Sequence, residues 1–510
     1  MNEATVDEEA GRPPVVDRES REPASPTAHW ATLPVVLSGV FMTILDFFIV
    51  NVAIPSAQRD LHATSAEVQW LVAGFGLAYG GGLITGGRLG DLYGRRRLFL
   101  LGLALFALTS AACGLAPHAV FLVVSRVIQG ASAALLAPQV LAILGTTYAG
   151  AARARAFNLY AFAMGIAAVM GPLIGGFLID ANPLGLGWRT CFLINLPVAA
   201  VAILLTLSLV SESRASGEPK LDVIGALLIT VALVALALPL IDGRQGGWPW
   251  WTWLSLSSAG PLLFGFAIHQ HQVARRGGAP LIDLALFRER VFTVGLLGQL
   301  VLYMGQAAYF LVLALYLQQG RSLRPLQAGC VFVPIAAGYL VTSLLAGQVA
   351  RRLGRQVIAV GALIRTAGMA LLLLTIWTTQ WVPALVPALV IVGAGTGLAL
   401  GPLTSTVLAR VPAGQSGAAS GVLTTALQVG NSLGVAIIGV LFYGALGHAG
   451  GATSYQGAFA ASLVYLIGGG LALAFIAQLL PRGRREPGLA HPSNDGLATV
   501  GEPRSAAPDS

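Results

Sequence analysis

The sequence has few charged residues and only one lysine, Lys220. Of its 510 residues, 10% are charged and 55% are hydrophobic. Soluble proteins carry about 25% charged residues, so this composition indicates an integral membrane protein. The formal net charge of +8 comes from arginines that stand in short clusters between apolar runs. That spacing follows membrane topology and gives no indication of nucleic-acid binding.

The sequence also lacks the marks of a metal site and of an enzyme. Its three cysteines lie in or beside apolar runs, so neither a disulfide framework nor a metal site is expected. His269 and His271 would point in different directions on a helix. Residues 414–418 approach a nucleophile elbow but lack its last glycine, and no Gly-Lys-Ser/Thr phosphate loop is present. We expect no metal, no cofactor and no enzymatic activity.

Fourteen apolar runs meet the length of about 20 residues that a spanning helix needs. They centre on residues 33–56, 68–90, 98–116, 119–146, 157–179, 190–211, 223–242, 251–273, 291–317, 327–350, 356–377, 383–408, 417–446 and 457–480. The polar ends, 1–32 and 481–510, are expected to be disordered tails. The first of them does not resemble a signal peptide.

The arginines alternate between the loops. One set of loops holds Arg95–Arg97, Arg153, Arg155, Arg214, Lys220, Arg275, Arg276, Arg288, Arg290, Arg351, Arg352, Arg355, Arg410 and the cluster at 482–485. The other set holds Arg59, Arg189, Arg244, Arg321 and Arg324. Because cytoplasmic loops are enriched in Lys and Arg, the first set and both termini are predicted to lie on the cytoplasmic side of the plasma (inner) membrane.

A short polar stretch at residues 87–97 separates the second and third runs. Its glycines permit a sharp turn and close helix packing. The pattern resembles the cytoplasmic signature loop of the major facilitator superfamily of transporters, and an ordinary basic loop is the alternative. The resemblance implies a gating loop, with Asp91 latching the cytoplasmic side. The positions that carry the pattern are Gly87, Asp91, Gly94, Arg95 and Arg96.

The loop at 347–355 lines up with this stretch, except that Arg351 stands in the place of the acid. The chain is therefore predicted to be all-α and to contain an internal repeat. Residues 33–211 and 291–480 would each form a six-helix bundle, and residues 212–290 would insert two additional transmembrane helices. Transporters built from repeats hold their substrate between the halves, near the bilayer midplane.

Asp46 lies well inside the first run and is the only acid placed deep in the membrane. A charge at a helix centre costs about 2.5–3.5 kcal/mol on insertion scales, so Asp46 should face the bundle interior and serve a function. It could bind a proton or attract a substrate, or it could be a structural acid paired with an arginine. Asn51, on the same span, fits either a substrate contact or a helix–helix hydrogen bond.

Two arginines lie inside apolar runs, Arg126 in the fourth and Arg365 in the eleventh. Arginine stays charged, so it can tune a nearby carboxylate or hold an anion. The stretch from Arg126 to Gln129 resembles the superfamily's fourth-helix motif, whose arginine is associated with proton coupling. Snorkelling to the outer interface is the alternative for Arg126. For Arg365, snorkelling towards the cytoplasmic cluster is the preferred interpretation.

The fifth run contains a glycine- and proline-rich pattern. Proline kinks a helix and small residues allow close packing, so a hinge or a tight contact is expected. The pattern resembles the antiporter signature of drug:proton exporters, and together with residues 188–197 and 417–434 it resembles the fourteen-span branch of that group. The residues concerned are Gly165, Gly171, Pro172, Gly175 and Gly176.

This resemblance implies a proton-coupled antiporter that exports hydrophobic or amphiphilic drugs by alternating access, driven by the proton motive force. Because Asp46 stands alone, neutral or singly cationic substrates are predicted. Two alternatives remain: a transporter of a small polar metabolite on the same fold, and a membrane protein that binds such compounds without moving them. The sequence gives no indication of an oligomeric state.

Overall fold

The computed structural model describes residues 26–214, 221–278, 280–409, 411, 416–447 and 452–481. All regular secondary structure in these ranges is helical. The helices are α1 (Pro26–Leu61), α2 (Ser65–Tyr93), α3 (Arg95–Gly114), α4 (Ala119–Thr147), α5 (Gly150–Ala181), α6 (Thr190–Leu193), α7 (Asn195–Leu209), α8 (Val223–Asp242), α9 (Trp250–Arg275), α10 (Arg290–Leu315), α11 (Pro325–Leu353), α12 (Gln356–Thr378), α13 (Val386–Leu408), α14 (Ser416–Leu446) and α15 (Ala452–Leu479).

Fourteen of the described helical segments are long and apolar enough to cross a membrane, which confirms the predicted number of spans. The short α6 and α7 together form the sixth of them, Gly187–Leu209. A π-helical turn at Tyr316–Gly320 extends α10. Most of the predicted tails, as well as Lys220, Arg410 and the arginine cluster at 482–485, lie outside the described residues.

Local chemistry fixes several helix ends. Thr64 precedes α2, and its hydroxyl accepts a hydrogen bond from the Glu67 amide while the Glu67 carboxylate accepts one from the Thr64 amide. This reciprocal pair satisfies two amides that the first turn of a helix leaves unpaired. At the other end of α2, only Gly94 separates it from α3, and its φ of 109° favours glycine.

The first half is built on contacts of α1 with α5, α2 with α4, and α3 with α4 and α7. In the second half α11 packs on α13, α12 on α13 and α15, and α10 on α14 and α15. The pair α8–α9 lies between the halves in sequence, and α8 contacts both α2 and α14. The inserted pair therefore borders both bundles.

The two halves also meet directly. We call the membrane face with the 87–97 turn the loop face and the opposite one the far face. At the far face Nε2 of Gln319 donates to Oε1 of Gln58 (2.9 Å), and Nε2 of Gln318 donates to the Val52 carbonyl (3.0 Å). Further towards the middle, the rings of Phe48 and Phe310 lie 5.0 Å apart. These contacts join α1 to α10 from the far face to mid-membrane.

Candidate functional site

A buried ion pair lies in the middle of the first half. Asp46 on α1 and Arg126 on α4 have no solvent exposure, and Nη1 of Arg126 donates to Oδ2 of Asp46. Nε of Arg126 donates to the Leu71 carbonyl (3.1 Å), and its guanidinium lies 4.4 Å from the centre of the Phe75 ring. Arg126 therefore does not snorkel to an interface, and the deep acid has a cationic partner.

The second carboxylate oxygen of Asp46 is also satisfied. Oδ1 accepts from Nε2 of Gln129 (3.1 Å) and from Nδ2 of Asn195 (2.9 Å). Oε1 of Gln129 accepts from Arg126 (2.7 Å), and Asn195 also donates to the Ser110 hydroxyl (3.0 Å). The result is a polar network that joins α1, α3, α4 and α7 inside apolar surroundings. Both oxygens of Asp46 are paired, whereas Nη2 of Arg126 has no hydrogen-bond partner within the described chain.

The structure brings together three of the four residues predicted for this site. Asp46, Arg126 and Gln129 are in contact. Asn51 is separate, because its amide donates to the Phe47 and Phe48 carbonyls of its own helix (3.3 and 3.2 Å). It makes no helix–helix hydrogen bond within the described chain.

Sequence reasoning missed two members of the network. Asn195 stands in the 188–197 stretch and Ser110 in the third span, and both are buried. The available signal was a polar side chain in an apolar run. That signal is weak for Ser, which can bond the carbonyls of its own helix, and stronger for Asn195, which needs more partners.

The glycine pattern of α5 forms a groove for α1. A Cβ at Gly171 would lie 2.8 Å from Cβ of Phe48, and one at Gly175 would lie 2.6 Å from Cγ1 of Ile49. Neither position has room for a side chain. Gly171 and Gly175 thus set the distance of α5 from the segment of α1 that carries Asp46, and the predicted tight contact is present.

The next glycine of the pattern faces the other half. A Cβ at Gly176 would lie 2.7 Å from Cα of Leu326 on α11. The carbonyl of Pro172 faces Gly329 of α11 in the same interface. Gly165 is different, since its nearest neighbour, Leu340, would lie 3.9 Å from a Cβ. It does not belong to the close contact, and α5 runs unbroken through Pro172.

Two carboxylates hold the turn at the loop face. Oδ1 of Asp91 accepts from Nη2 of Arg95 (2.9 Å). The Glu212 carboxylate accepts from the backbone amides of Arg96 (3.1 Å) and Arg97 (3.2 Å). Asp91 is thus paired within its own turn, and its role as a latch of the cytoplasmic side stays a prediction. The sequence did not point to Glu212.

Arg88 connects this turn to a segment that is distant in the sequence. Its Nη2 donates to the carbonyl of Pro280 (2.6 Å), in the segment that leads from α9 to α10. Gly87 has room around it, with Cβ of Pro138 3.5 Å from a built Cβ. At the matching turn of the second half, Gly354 has a φ of 57°, so both turns depend on a glycine with positive φ.

The second buried arginine contradicts the expectation of snorkelling. Arg365 on α12 is 5% exposed. Its Nη1 makes one long hydrogen bond, to the Leu302 carbonyl of α10 (3.4 Å), and its Nε has no partner within the described chain. The side chain faces the interior of the second bundle. Its distance of about three turns from the membrane interface therefore did not indicate which way it points.

Comparison with known proteins covers nearly the whole chain. The family model described as Major Facilitator Superfamily matches residues 36–435. A probable actinorhodin transporter of Streptomyces coelicolor is 37% identical over 449 residues, which are 87% of this chain and 78% of that protein. The drug efflux pump JefA of Mycobacterium tuberculosis is 35% identical over 81% of this chain and 80% of its own. The puromycin resistance protein of Streptomyces alboniger is 36% identical over 82% of both chains.

Solved structures show the same fold at low identity. A bacterial homologue of the human lysosomal transporter Spinster, in an inward-facing and unoccupied conformation, has a TM-score of 0.63 at 16% identity, over 90% of this chain and 98% of its own. A D-xylose–proton symporter has a TM-score of 0.61 at 16% identity, over 89% of this chain and 98% of its own.

Proposed function

Because the chain belongs to the Major Facilitator Superfamily, we propose that it exports small hydrophobic or amphiphilic compounds in exchange for protons. Its relatives are named for the transport of actinorhodin, for drug efflux and for puromycin resistance. These names favour a drug or antibiotic over a polar metabolite. The observation that carries proton exchange is the fully buried pair of Asp46 and Arg126.

The pair offers a position where one proton changes the charge of the membrane interior. A proton on the Asp46 carboxyl would remove its ionic attraction to Arg126, which stays positive. Arg126 would keep the Leu71 carbonyl, Gln129 and the Phe75 ring. Breaking a buried pair on one side is costly, so the protonated and unprotonated states would favour different arrangements of α1 and α4.

The contacts around Asp46 give this change a route to the other half. Its neighbours Leu45 and Phe48 pack against Gly171 of α5, and Phe48 meets Phe310 of α10. Farther along α5, Gly176 rests on α11. A shift of α1 would act on both interfaces. Proton and cargo would each move the equilibrium by their differential affinity for the two states.

The contacts of Asp46 bear on the charge of the cargo, which was predicted to be neutral or singly cationic because Asp46 is the only deep acid. Its carboxylate accepts from Arg126, Gln129 and Asn195. While that pair is intact, Asp46 offers little attraction to a cation.

We further propose that the loop face is cytoplasmic, which places both termini inside and follows from the arginine-rich loops.

The test is transport in reconstituted vesicles with an imposed pH gradient, with radiolabelled puromycin and a lipophilic monocation dye as probes. We expect gradient-driven movement by the wild type and a loss of at least about tenfold in Asp46→Asn, since the neutral side chain cannot exchange a proton. Arg352→Gln is the matched control, because Arg352 is an exposed arginine of the second half.

Movement that ignores the gradient, with the probes shown to bind, would contradict antiport and favour a facilitator or a binding protein. Failure of both probes to bind or move would instead favour the metabolite transporter.

A further inference from the structure

We propose that Arg365 and Tyr309 form a buried binding site for a single monovalent anion inside the second bundle. The anion is either a free inorganic ion such as chloride or the ionised carboxylate or phenolate group of a transported compound. Both sources present the same chemistry, one negative oxygen or halide accepting hydrogen bonds from a guanidinium and a phenol.

The second half contains no acid that could neutralise Arg365. Between residues 290 and 485 the sequence has neither Asp nor Glu. The guanidinium is nonetheless buried, since Arg365 is only 5% exposed. Burying an unpaired charge is expensive, and in proteins buried charges are normally paired. The counter-charge of Arg365 is therefore not an acid of its own half.

The hydrogen bonds of Arg365 are also incomplete. Nη1 reaches the Leu302 carbonyl at 3.4 Å, which is beyond the usual length of such a bond. Nε is buried without a partner in the described residues. The guanidinium is a fork of donors that suits an oxygen anion. What this location lacks is an acceptor.

A second unpaired donor lies on α10. The hydroxyl of Tyr309 is buried and has no hydrogen-bond partner within the described chain. Leu302, Gly305 and Tyr309 share one face of α10, because they are three and four residues apart. Arg365 lies against this face at Leu302 and Gly305, so two buried side chains with unpaired donors meet one face of α10.

The surroundings of Gly305 limit the size of the anion that the site can hold. A Cβ there would lie 2.8 Å from Nη2 of Arg365 and 3.4 Å from Cδ2 of Leu466. The guanidinium therefore reaches the backbone of α10, and space for a large group is lacking on that side. A monatomic ion or the end of one acidic group fits this description better than a multivalent anion.

The experiment measures anion binding to purified protein at one fixed pH, with no gradient. The probes are chloride labelled with ³⁶Cl and radiolabelled salicylate, with sodium sulfate holding the ionic strength constant, because a multivalent anion does not suit the site. We expect one saturable chloride site per chain in the wild type. Arg365→Gln should weaken it at least about tenfold, because a hydrogen bond to a charged group is lost.

Two further variants separate loss of the site from loss of the fold. Gly305→Asp would supply an internal carboxylate next to Arg365 and should abolish binding while leaving a folded, monodisperse protein. Tyr309→Phe keeps the shape of the core, and we expect it to weaken binding by about threefold to tenfold. Arg352→Gln, which removes an exposed arginine of the same half, should bind chloride like the wild type.

Salicylate that displaces chloride one for one would identify the acidic group of a compound as an occupant, and that outcome alone rests on the proposed export function. Chloride binding without competition would identify a resident inorganic ion and also supports the site. No saturable binding to the wild type, or full binding to Arg365→Gln, would overturn the proposal. Since the binding experiment uses no gradient, its result does not depend on proton exchange. Each of the two proposals can be contradicted while the other is supported.

Discussion

Among the described residues, each half of the molecule buries one arginine, and the first half pairs its arginine with an acid whereas the second does not. In the first half Arg126 faces Asp46, Gln129 and the Leu71 carbonyl. In the second half Arg365 has one long hydrogen bond and no acidic partner among the residues that the structure describes. Residues 33–211 contain five acids, whereas residues 291–480 contain none.

This difference matches the two roles proposed for the two halves. A network such as that around Asp46 would exchange a proton and return to the same arrangement. An uncompensated cation has nothing to titrate at physiological pH, but it can hold a negative ligand. The placement of acids would thus give the two halves distinct chemistry.

The largest effect is expected from breaking the pair in the first half. Arg126→Gln leaves Asp46 as a buried acid without its cation, and we expect a loss of about 3–5 kcal/mol in the free energy of unfolding. The measurement is thermal unfolding of purified protein in detergent. The double variant Asp46→Asn/Arg126→Gln should recover part of the loss. Equal effects of Arg126→Gln and Arg365→Gln would contradict the contrast between the halves.

The second half can be given the acid that it lacks. Gly305→Asp places a carboxylate within reach of Arg365, so its effect should depend on that arginine. We expect this substitution to be tolerated when Arg365 is present and to cost about 2–3 kcal/mol more in the Arg365→Gln background. The measurement is a double-mutant cycle of unfolding midpoints in sodium sulfate, without monovalent anions. Additive effects would show that the two positions do not interact.

The close contact between α1 and α5 is expected to hold the network around Asp46 in position. Gly175→Leu would force a side chain into Ile49, and we expect it to cost about 1–3 kcal/mol through overpacking. Gly165→Leu is the matched substitution on the same helix, where only Leu340 lies within 4 Å, and it should cost much less. Comparable losses in the two variants would mean that the contact with α1 is not what makes α5 sensitive.

The sequence predicted the spans and the turns well because both follow from one-dimensional patterns. Apolar length sets the helices, as in α8, and a glycine with positive φ ends α2. It also linked Asp46 with Arg126, because deep charges must find partners. The orientation of Arg365 could not be obtained in this way, since distance from a helix end does not reveal which face a residue occupies. The sequence did not indicate Ser110, because a serine hydroxyl can also bond to the carbonyls of its own helix.

The smallest effect concerns the segment between the halves, which carries acids that the second half lacks. Asp222 begins α8, and its carboxylate accepts from Nε2 of Gln270 (2.7 Å) and the Gly225 amide (2.8 Å), with Nε2 of His269 at 2.8 Å. Burial alone would raise the pKa of this carboxyl, but these hydrogen bonds outweigh burial and lower it below its ordinary value. Arg88 also interacts electrostatically with it.

A lowered pKa in the folded state means that the unfolded chain binds the proton more readily. The stabilisation by Asp222 should be complete above the unfolded value of about 3.9 and should fall as the pH drops through the lower, folded value. Asp222→Asn keeps a helix-capping side chain but removes the charge, so its unfolding temperature should fall less steeply than that of the wild type between neutral pH and pH about 3. Parallel curves for the two proteins would show that the charge of Asp222 does not stabilise the junction of α8 and α9.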